Sequence, residues 1–412
     1  IRGDRTPERR MPVASSPDKQ APDWFLDAPV FYPRAAGASL NGGSVAVADF
    51  DRDGRNDVVT TVAMSAGFRI AVYLQNQAGT LEAPTLYPVD GNHRMWDGNV
   101  AVGDLDGDGS FDIVTSSHRS LSVFYNDGQA HFTPSVVSTA ANGLGWSKVA
   151  VIDDDRDGKN DIFALSDQPS YGGTTKAAAI FRNGYPFVPE RFRGWYGFNI
   201  DGTFAFEIEV ADVTSDGVPD LMYLSSLVPR LTVARSGLQG WGSYNQYGYV
   251  NPGAIFAWLG VGDFNDDGKR DVATAYSLSN NLSRVVMFYQ NTLGTMSNGP
   301  DLLSPQYAGG LVGGDIDGDG DDDLLWFPQS QFETLWLYRQ ENGSLASSPV
   351  SLPGKAGGDL LNTDSVAMAD LNGDGCKDIV ASPTATAGLT VWYGHGCVRR
   401  RLTGGRQPMT RN

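Results

Sequence analysis

A nine-residue acidic pattern recurs seven times along this 412-residue chain, and no other feature constrains the fold as tightly. Its clearest copy is Asp104-Leu105-Asp106-Gly107-Asp108-Gly109-Ser110-Phe111-Asp112, set between Val100-Ala101-Val102-Gly103 and Ile113-Val114. The copies begin at Asp49, Asp104, Asp153, Asp212, Asp263, Asp315 and Asp370, with separations of 55, 49, 59, 51, 52 and 55 residues. A period near fifty predicts a repeat architecture in which each repeat is one supersecondary unit. A ring of such units can use the whole chain as a single domain, although its length alone would suggest two or three.

The pattern places carboxylates at positions 1, 3, 5 and 9 and glycine at position 6, where the backbone must turn sharply. A hard cation of the calcium type takes six to eight oxygens at about 2.3–2.6 Å, which alternate side chains and one backbone carbonyl can supply. An EF-hand would also need a glutamate at position 12 and flanking helices, and neither is present. Four loops offer four carboxylates: Asp49, Asp51, Asp53 and Asp57; Asp104, Asp106, Asp108 and Asp112; Asp153, Asp155, Asp157 and Asp161; and Asp315, Asp317, Asp319 and Asp323. The fifth (Asp263, Asn265, Asp267, Asp271) and seventh (Asp370, Asn372, Asp374, Asp378) carry asparagine at position 3. The fourth has Thr214 between Asp212 and Asp216, with Asp220 at position 9, and ranks as the weakest site because affinity falls with ligand charge. Position 7 is expected to contribute a main-chain carbonyl, so its side chain is free to vary through Arg55, Ser110, Lys159, Val218, Lys269, Asp321 and Cys376.

Charge supports this reading. Of the 48 acidic residues, 25 occupy positions 1, 3, 5 or 9 of the loops. The formal net charge is -17, and seven bound divalent ions would bring it to about -3. No basic face large enough to follow a phosphate backbone remains, which argues against nucleic acid as a partner. No run of 18 apolar residues occurs, so no helical membrane insertion is expected. The ions are expected to be structural, each clamping two strands that carboxylate repulsion would otherwise drive apart.

Short runs rich in Val, Ile, Thr and aromatics flank each loop, and no long segment has helical periodicity. Each repeat reads as four strands: one entering the loop, one leaving it, a third such as Leu121-Ser122-Val123-Phe124-Tyr125, and a fourth after an Asn/Gly turn. Pro84, Pro134, Pro189 and Pro349 fall in the fourth strand, and proline marks an edge because it lacks the N–H that a central strand needs. Ala or Gly precedes the first aspartate in every repeat but the third, which has Ile152, as expected where strands crowd around an axis. Leu26-Asp27-Ala28-Pro29-Val30-Phe31-Tyr32-Pro33 matches Leu81-Glu82-Ala83-Pro84-Thr85-Leu86-Tyr87-Pro88 at an offset of 55. The N-terminal segment therefore supplies the fourth strand that the seventh repeat lacks. The expected fold is all-β: a seven-bladed propeller of four-stranded blades, its ring closed by that strand.

These repeats resemble the FG-GAP (VCBS-type) repeats of integrin α-subunit propellers and of secreted microbial proteins, over roughly residues 23–397. The resemblance implies calcium in the loop between the first two strands of a blade, on the lower face, and ligand recognition on the upper face. It also implies a secreted, extracellular protein acting in adhesion or recognition. Residues 1–22 read as a flexible arm and 398–412 as a basic tail containing Arg399-Arg400-Arg401. Arg2-Gly3-Asp4 matches the tripeptide that integrins recognise, but a three-residue match in a polar arm carries little weight. Cys376 and Cys397, the only cysteines, should both reach the lower face of the seventh blade and form a disulfide there.

Recognition is expected to use His93, Trp96, Trp146, Trp195, Tyr196, Trp241, Tyr244, Tyr247 and Tyr249, placed in loops that lead into first strands. Exposed Trp and Tyr stack on sugar rings or anchor a protein partner. The function so read is non-catalytic binding of a protein or glycan, with a lectin as the alternative. A polysaccharide lyase is the remaining possibility, resting on His93-Arg94, His118-Arg119 and Tyr171. No nucleophile elbow, P-loop, dinucleotide fingerprint or HExxH motif occurs.

Overall fold

The computed structural model describes residues 24–34, 36–65, 67–89, 99–117, 120–139, 146–169, 176–183, 192–199, 205–225, 230–235, 243–248, 257–277, 283–304, 308–328, 334–354, 360, 363–383 and 388–397. Among these, strands form seven antiparallel four-stranded sheets and one two-stranded ribbon, and the only helical element is a 3-10 turn at Thr363–Ser365. Each sheet is one blade, and blade two shows the plan. Val100–Gly103 enters the acidic loop, Asp112–Ser116 leaves it, Ser120–Asn126 is third and Phe132–Thr139 outermost. The first strands of the other blades are Ala38–Ala48, Trp146–Ile152, Ala205–Ala211, Ala257–Gly262, Ala308–Gly314 and Val366–Ala369.

Blade seven is assembled from both ends of the chain. Val366–Ala369, Asp378–Ala381 and Leu389–Trp392 are its inner strands, and Val30–Tyr32 is the fourth, with Val30 opposite Val391 and Tyr32 opposite Leu389. Outside it, Phe25–Leu26 pairs with Gly394–His395. The sequence match was therefore in register, since Thr85–Pro88 is the fourth strand of blade one and Val30 corresponds to Thr85. Pro134 lies within a fourth strand, Pro84 and Pro349 immediately precede theirs, and Pro189 lies outside the described residues.

The hydrophobic core lies between blades. Seven clusters are present, and each draws on two adjacent blades, including blades seven and one, where Tyr32, Leu371 and Val391 meet Val58, Val62 and Tyr73. The cause is the two-residue period of a strand. In blade five, Val272 faces the cluster shared with blade four and Ala273 the one shared with blade six. Second strands are largely buried on both faces, as in Asp323–Pro328, where all six residues are buried.

First strands crowd the axis as expected. A Cβ on Gly103 would lie 2.6 Å from Val151 of the next blade. The turn Thr363–Ser365 packs against the first strands of blades one, five and six. Its Asp364 pairs with Lys148 of blade three, so an ion pair crosses the axis. A cavity of about 310 Å³ remains beside this pair, walled by the first strands of blades two, three and four.

Candidate metal face

All seven acidic loops join a first strand to a second, so the antiparallel topology brings them to one face of the ring. Three hydrogen bonds recur in every loop. The position-6 N–H donates to the position-1 carboxylate at 2.7–3.1 Å. The position-7 N–H donates to position 5 at 2.6–3.0 Å. The position-2 N–H donates to position 9 at 2.6–3.3 Å. Local side-chain acceptors thus take the place of a ladder that the loop cannot make.

The backbone explains the spacing. Glycine at position 6 has φ between +81° and +92° in all seven loops. Position 4 is left-handed as well: Arg52, Arg156, Ser215 and Asp266 have φ near +60°, and Gly107, Gly318 and Gly373 fill it elsewhere. Position 2 is the anchor. Phe50, Leu105, Val213, Phe264, Ile316 and Leu371 are fully buried there. Loop three instead buries Asp154, whose carboxylate accepts from Arg182 Nη2 at 2.6 Å. Burial pushes the Asp154 carboxyl up, and the guanidinium partly offsets this.

Carboxylate oxygens converge within 4.8 Å of one another in four loops: Asp49, Asp51 and Asp53; Asp104, Asp106 and Asp108; Asp153, Asp155 and Asp161; Asp315, Asp317 and Asp319. These are the four loops with the full acidic set. Asp155 Oδ1 and Asp315 Oδ1 are buried without a hydrogen-bond partner, as expected of oxygens that face a cation. An all-oxygen donor set of carboxylates and a carbonyl fits a hard divalent ion.

Position 9 carries a further structural role. It is the first residue of the second strand and is buried. Besides the bond from position 2, its other oxygen accepts from the main chain at the end of the third strand in six loops. The donors are Gln75, Asn126, Asn183, Gln290, Gln340 and Gly394, at 2.7–2.9 Å. Asp57, Asp112, Asp161, Asp271, Asp323 and Asp378 are therefore clasps holding the loop, the second strand and the third together. Only Asp161 also joins a converging cluster. Burial pushes these carboxyls up, to about 6 for Asp57 and Asp220, about 7 for Asp112, Asp161, Asp271 and Asp378, and about 8 for Asp323.

Position-7 side chains do more than vary freely. Arg55 pairs with Asp53, and Lys159 and Lys269 reach Asp157 and Asp267 at 2.7 Å. Ser110, Val218 and Asp321 are buried. Cys376 bonds to Cys397, with Cα atoms 5.5 Å apart, as expected from the sequence. Beside it, His395 bridges Asp374 (2.9 Å) and Asp27 (3.0 Å), and these carboxylates hold its imidazole pKa above the ordinary value.

Of the aromatic candidates among the described residues, one is core and four lie in outer strands. Trp146 is buried and packs edge-on against Phe181 at 5.5 Å. Trp195 and Tyr196 lie in the outer strand Phe192–Asn199, opposite Phe181 and Ile180. Tyr244 and Tyr247 lie in the outer strand Ser243–Gly248, and Tyr247 packs on the core shared by blades four and five. The β-propensity of these aromatics placed them in strands, where loops had been expected. His93, Trp96, Trp241, Tyr249, His118 and Tyr171 lie outside the described residues.

Sequence reasoning missed the amides that end third strands. Gln75, Asn126, Asn183, Gln290 and Gln340 recur at one position of the repeat, and aligning the repeats on that strand would have exposed them.

A family model described as FG-GAP-like repeat matches residues 62–115, 263–326 and 315–381, and one described as FG-GAP repeat matches 41–74. No curated protein matches the chain. Among solved structures, BBS1N in complex with ARL6DN superposes with a TM-score of 0.56 at 10% identity, covering 92% of this chain and 98% of that one. An Agrocybe aegerita lectin, described as recognising non-reducing terminal N-acetylglucosamine, gives 0.48 at 15% identity, over 89% and 99%. A K499G mutant of NanB sialidase from Streptococcus pneumoniae gives 0.41 at 10% identity, over 89% and 70%. At these identities the first likeness speaks to fold alone, and the other two are too slight to carry an argument.

Proposed function

Because the chain is an FG-GAP-repeat β-propeller of seven blades, we propose that it is a calcium-stabilised recognition module that binds a protein or glycan without transforming it. The observation that carries the metal reading is the convergence of three carboxylates in each of four loops, with buried oxygens left unpartnered at Asp155 and Asp315. Asp49, Asp51 and Asp53 and their counterparts hold the ion, with the position-7 carbonyl. A cation there would neutralise repulsion that the loop cannot relieve by itself, and binding to the folded state alone adds stability by mass action.

A binding role is favoured over catalysis by what the perturbed carboxyls do. Raised pKa values usually flag an acid or base. Here those at position 9 belong to groups held by backbone N–H donors inside the scaffold, so their perturbation reports burial. With one face committed to the cation loops, recognition falls to the opposite face. The disulfide and the repeats suit an oxidising, calcium-rich extracellular setting.

Thermal unfolding with calcium, with magnesium and with chelator tests the metal reading. The calcium-loaded form should melt several degrees higher, and equal melting temperatures would overturn it. Protein and glycan arrays probed with the loaded form test recognition. Release of unsaturated product from acidic polysaccharides would establish a lyase instead.

A further inference from the structure

The acidic loops are not independent of one another, because five of the seven neighbouring pairs are in direct contact, and loops four and six touch the chain at or beyond the end of a third strand in the next blade. Asn56 of loop one donates to the carbonyl of Asp370 in loop seven at 3.0 Å. Arg52 of loop one donates to the carbonyl of Asp108 in loop two at 2.8 Å, with the Asp108 carboxylate 3.6 Å away. Asn160 of loop three donates to the carbonyl of Asp104 in loop two at 2.9 Å. Arg156 repeats the Arg52 contact one step on, reaching the carbonyl of Asp216 at 3.2 Å. The Ser215 hydroxyl of loop four donates to Gln290 of blade five at 3.1 Å, and the Asp263 N–H of loop five donates to Asp322 of loop six at 2.8 Å. Gly318 of loop six lies directly against Cys397 of blade seven.

We propose that the loops take up calcium cooperatively, and that Arg52, Asn56, Arg156 and Asn160 are positioning residues that carry the coupling. This rests on the calcium reading above. The contacts of these four residues are made to the main chain of position 1 or position 5, and two of the acceptors, Asp104 and Asp108, belong to a converging carboxylate cluster. An empty loop holds mutually repelling carboxylates, and a filled one fixes them together with their backbone. Fixing one loop therefore orders the donor and acceptor that its neighbour needs, and the second ion pays less to complete the arrangement.

A second observation bears on the arginines. Arg52 and Arg156, like Ser215 and Asp266, occupy the left-handed position 4 with a side chain, at φ of 60° and 61°, where loops two, six and seven use glycine, and of these four the two arginines reach the main chain of the next loop. A side chain is disfavoured in that conformation, so its presence calls for something the side chain does. The reach to the next loop supplies it.

Calorimetric titration of the chelated, full-length protein with calcium tests the proposal. Asp106→Ala should disable loop two by removing its position-3 ligand while folding normally, since the uncharged Thr214 stands at that position in loop four. The expected result is one equivalent fewer than the wild type and a two- to fivefold rise in the calcium concentration that half-fills the rest. In an Arg52→Gly/Asn160→Ala background, which cuts these contacts to loop two, Asp106→Ala should remove one equivalent without that rise. The background should melt with the wild type in chelator, whereas residues of merely structural importance would lower that temperature and leave the rise intact. An unshifted remainder in Asp106→Ala, or an undiminished rise in the Arg52→Gly/Asn160→Ala background, overturns the coupling. Absence of any calcium binding by the wild type would instead overturn the calcium reading.

Discussion

Asp108 and Asp112 lie four residues apart in one loop, yet their carboxylates meet opposite environments. Asp108 is exposed and converges with Asp104 and Asp106, whereas Asp112 is fully buried and accepts from the Leu105 and Asn126 N–H groups at 2.8 Å. Substitution by asparagine should separate the two roles. Asp112→Asn leaves a buried N–H without its acceptor and should cost about 1–3 kcal/mol with or without calcium. Asp108→Asn should lower only the calcium-dependent part, and denaturant titrations in calcium and in chelator read both. Gly158 gives a cleaner test of the turn, because a Cβ there would meet nothing within 4 Å while φ is +84°. Gly158→Ala should therefore cost about 1–2 kcal/mol through backbone strain alone.

Blade seven is the element on which the ring depends, because its outer strand comes from the other end of the chain. Gly394–Cys397 ties together three parts of its loop: Gly394 N–H to Asp378, His395 to Asp374, and Cys397 to Cys376. The same segment holds Phe25–Leu26 and Asp27. Replacing both cysteines by serine should lower stability by about 3 kcal/mol through the loop of the unfolded chain that the disulfide closes. Hydrogen exchange should show the loss first at Val30–Tyr32, and uniform destabilisation of all blades would contradict this. The aromatic runs are a contrasting lesson at the same scale. Trp195, Tyr196, Tyr244 and Tyr247 follow third strands at the spacing of a fourth strand, and reading them as loops ignored their fit to a pleated surface.

At the scale of the whole molecule, acidity is a stability term distributed around one face. The position-9 carboxyls are raised above the unfolded value near 3.8, so the folded state binds more protons than the unfolded state between that value and pH 6–8. Stability in chelator is therefore fully present below about pH 4 for these groups and falls as pH rises toward 8. Calcium acts in the other direction, since its carboxylate ligands must be ionised. The melting-temperature gain on adding calcium should thus grow between pH 5 and pH 8, and a gain independent of pH would contradict the assignment. Seven inter-blade clusters of similar make-up mean that no blade holds a core of its own. Unfolding should accordingly be cooperative across the ring.

Blade number, strand order, the fourth strand from the N-terminal side and the disulfide were all legible in the chain, because the repeat period, the two-residue alternation and the turn chemistry are local and recur seven times. The tertiary structure alone decided which carboxylates converge within a loop and which clasp the backbone, since Asp108 and Asp112 are the same residue type until the third strand arrives beside one of them. It also decided that Trp146 is core and that Arg52 and Asn160 reach neighbouring loops. The last two outcomes depend on contacts between residues 35 and 56 positions apart, and the first on Asn126, 14 residues beyond Asp112 at the end of the third strand, so the spacing of carboxylates within a loop encodes none of them.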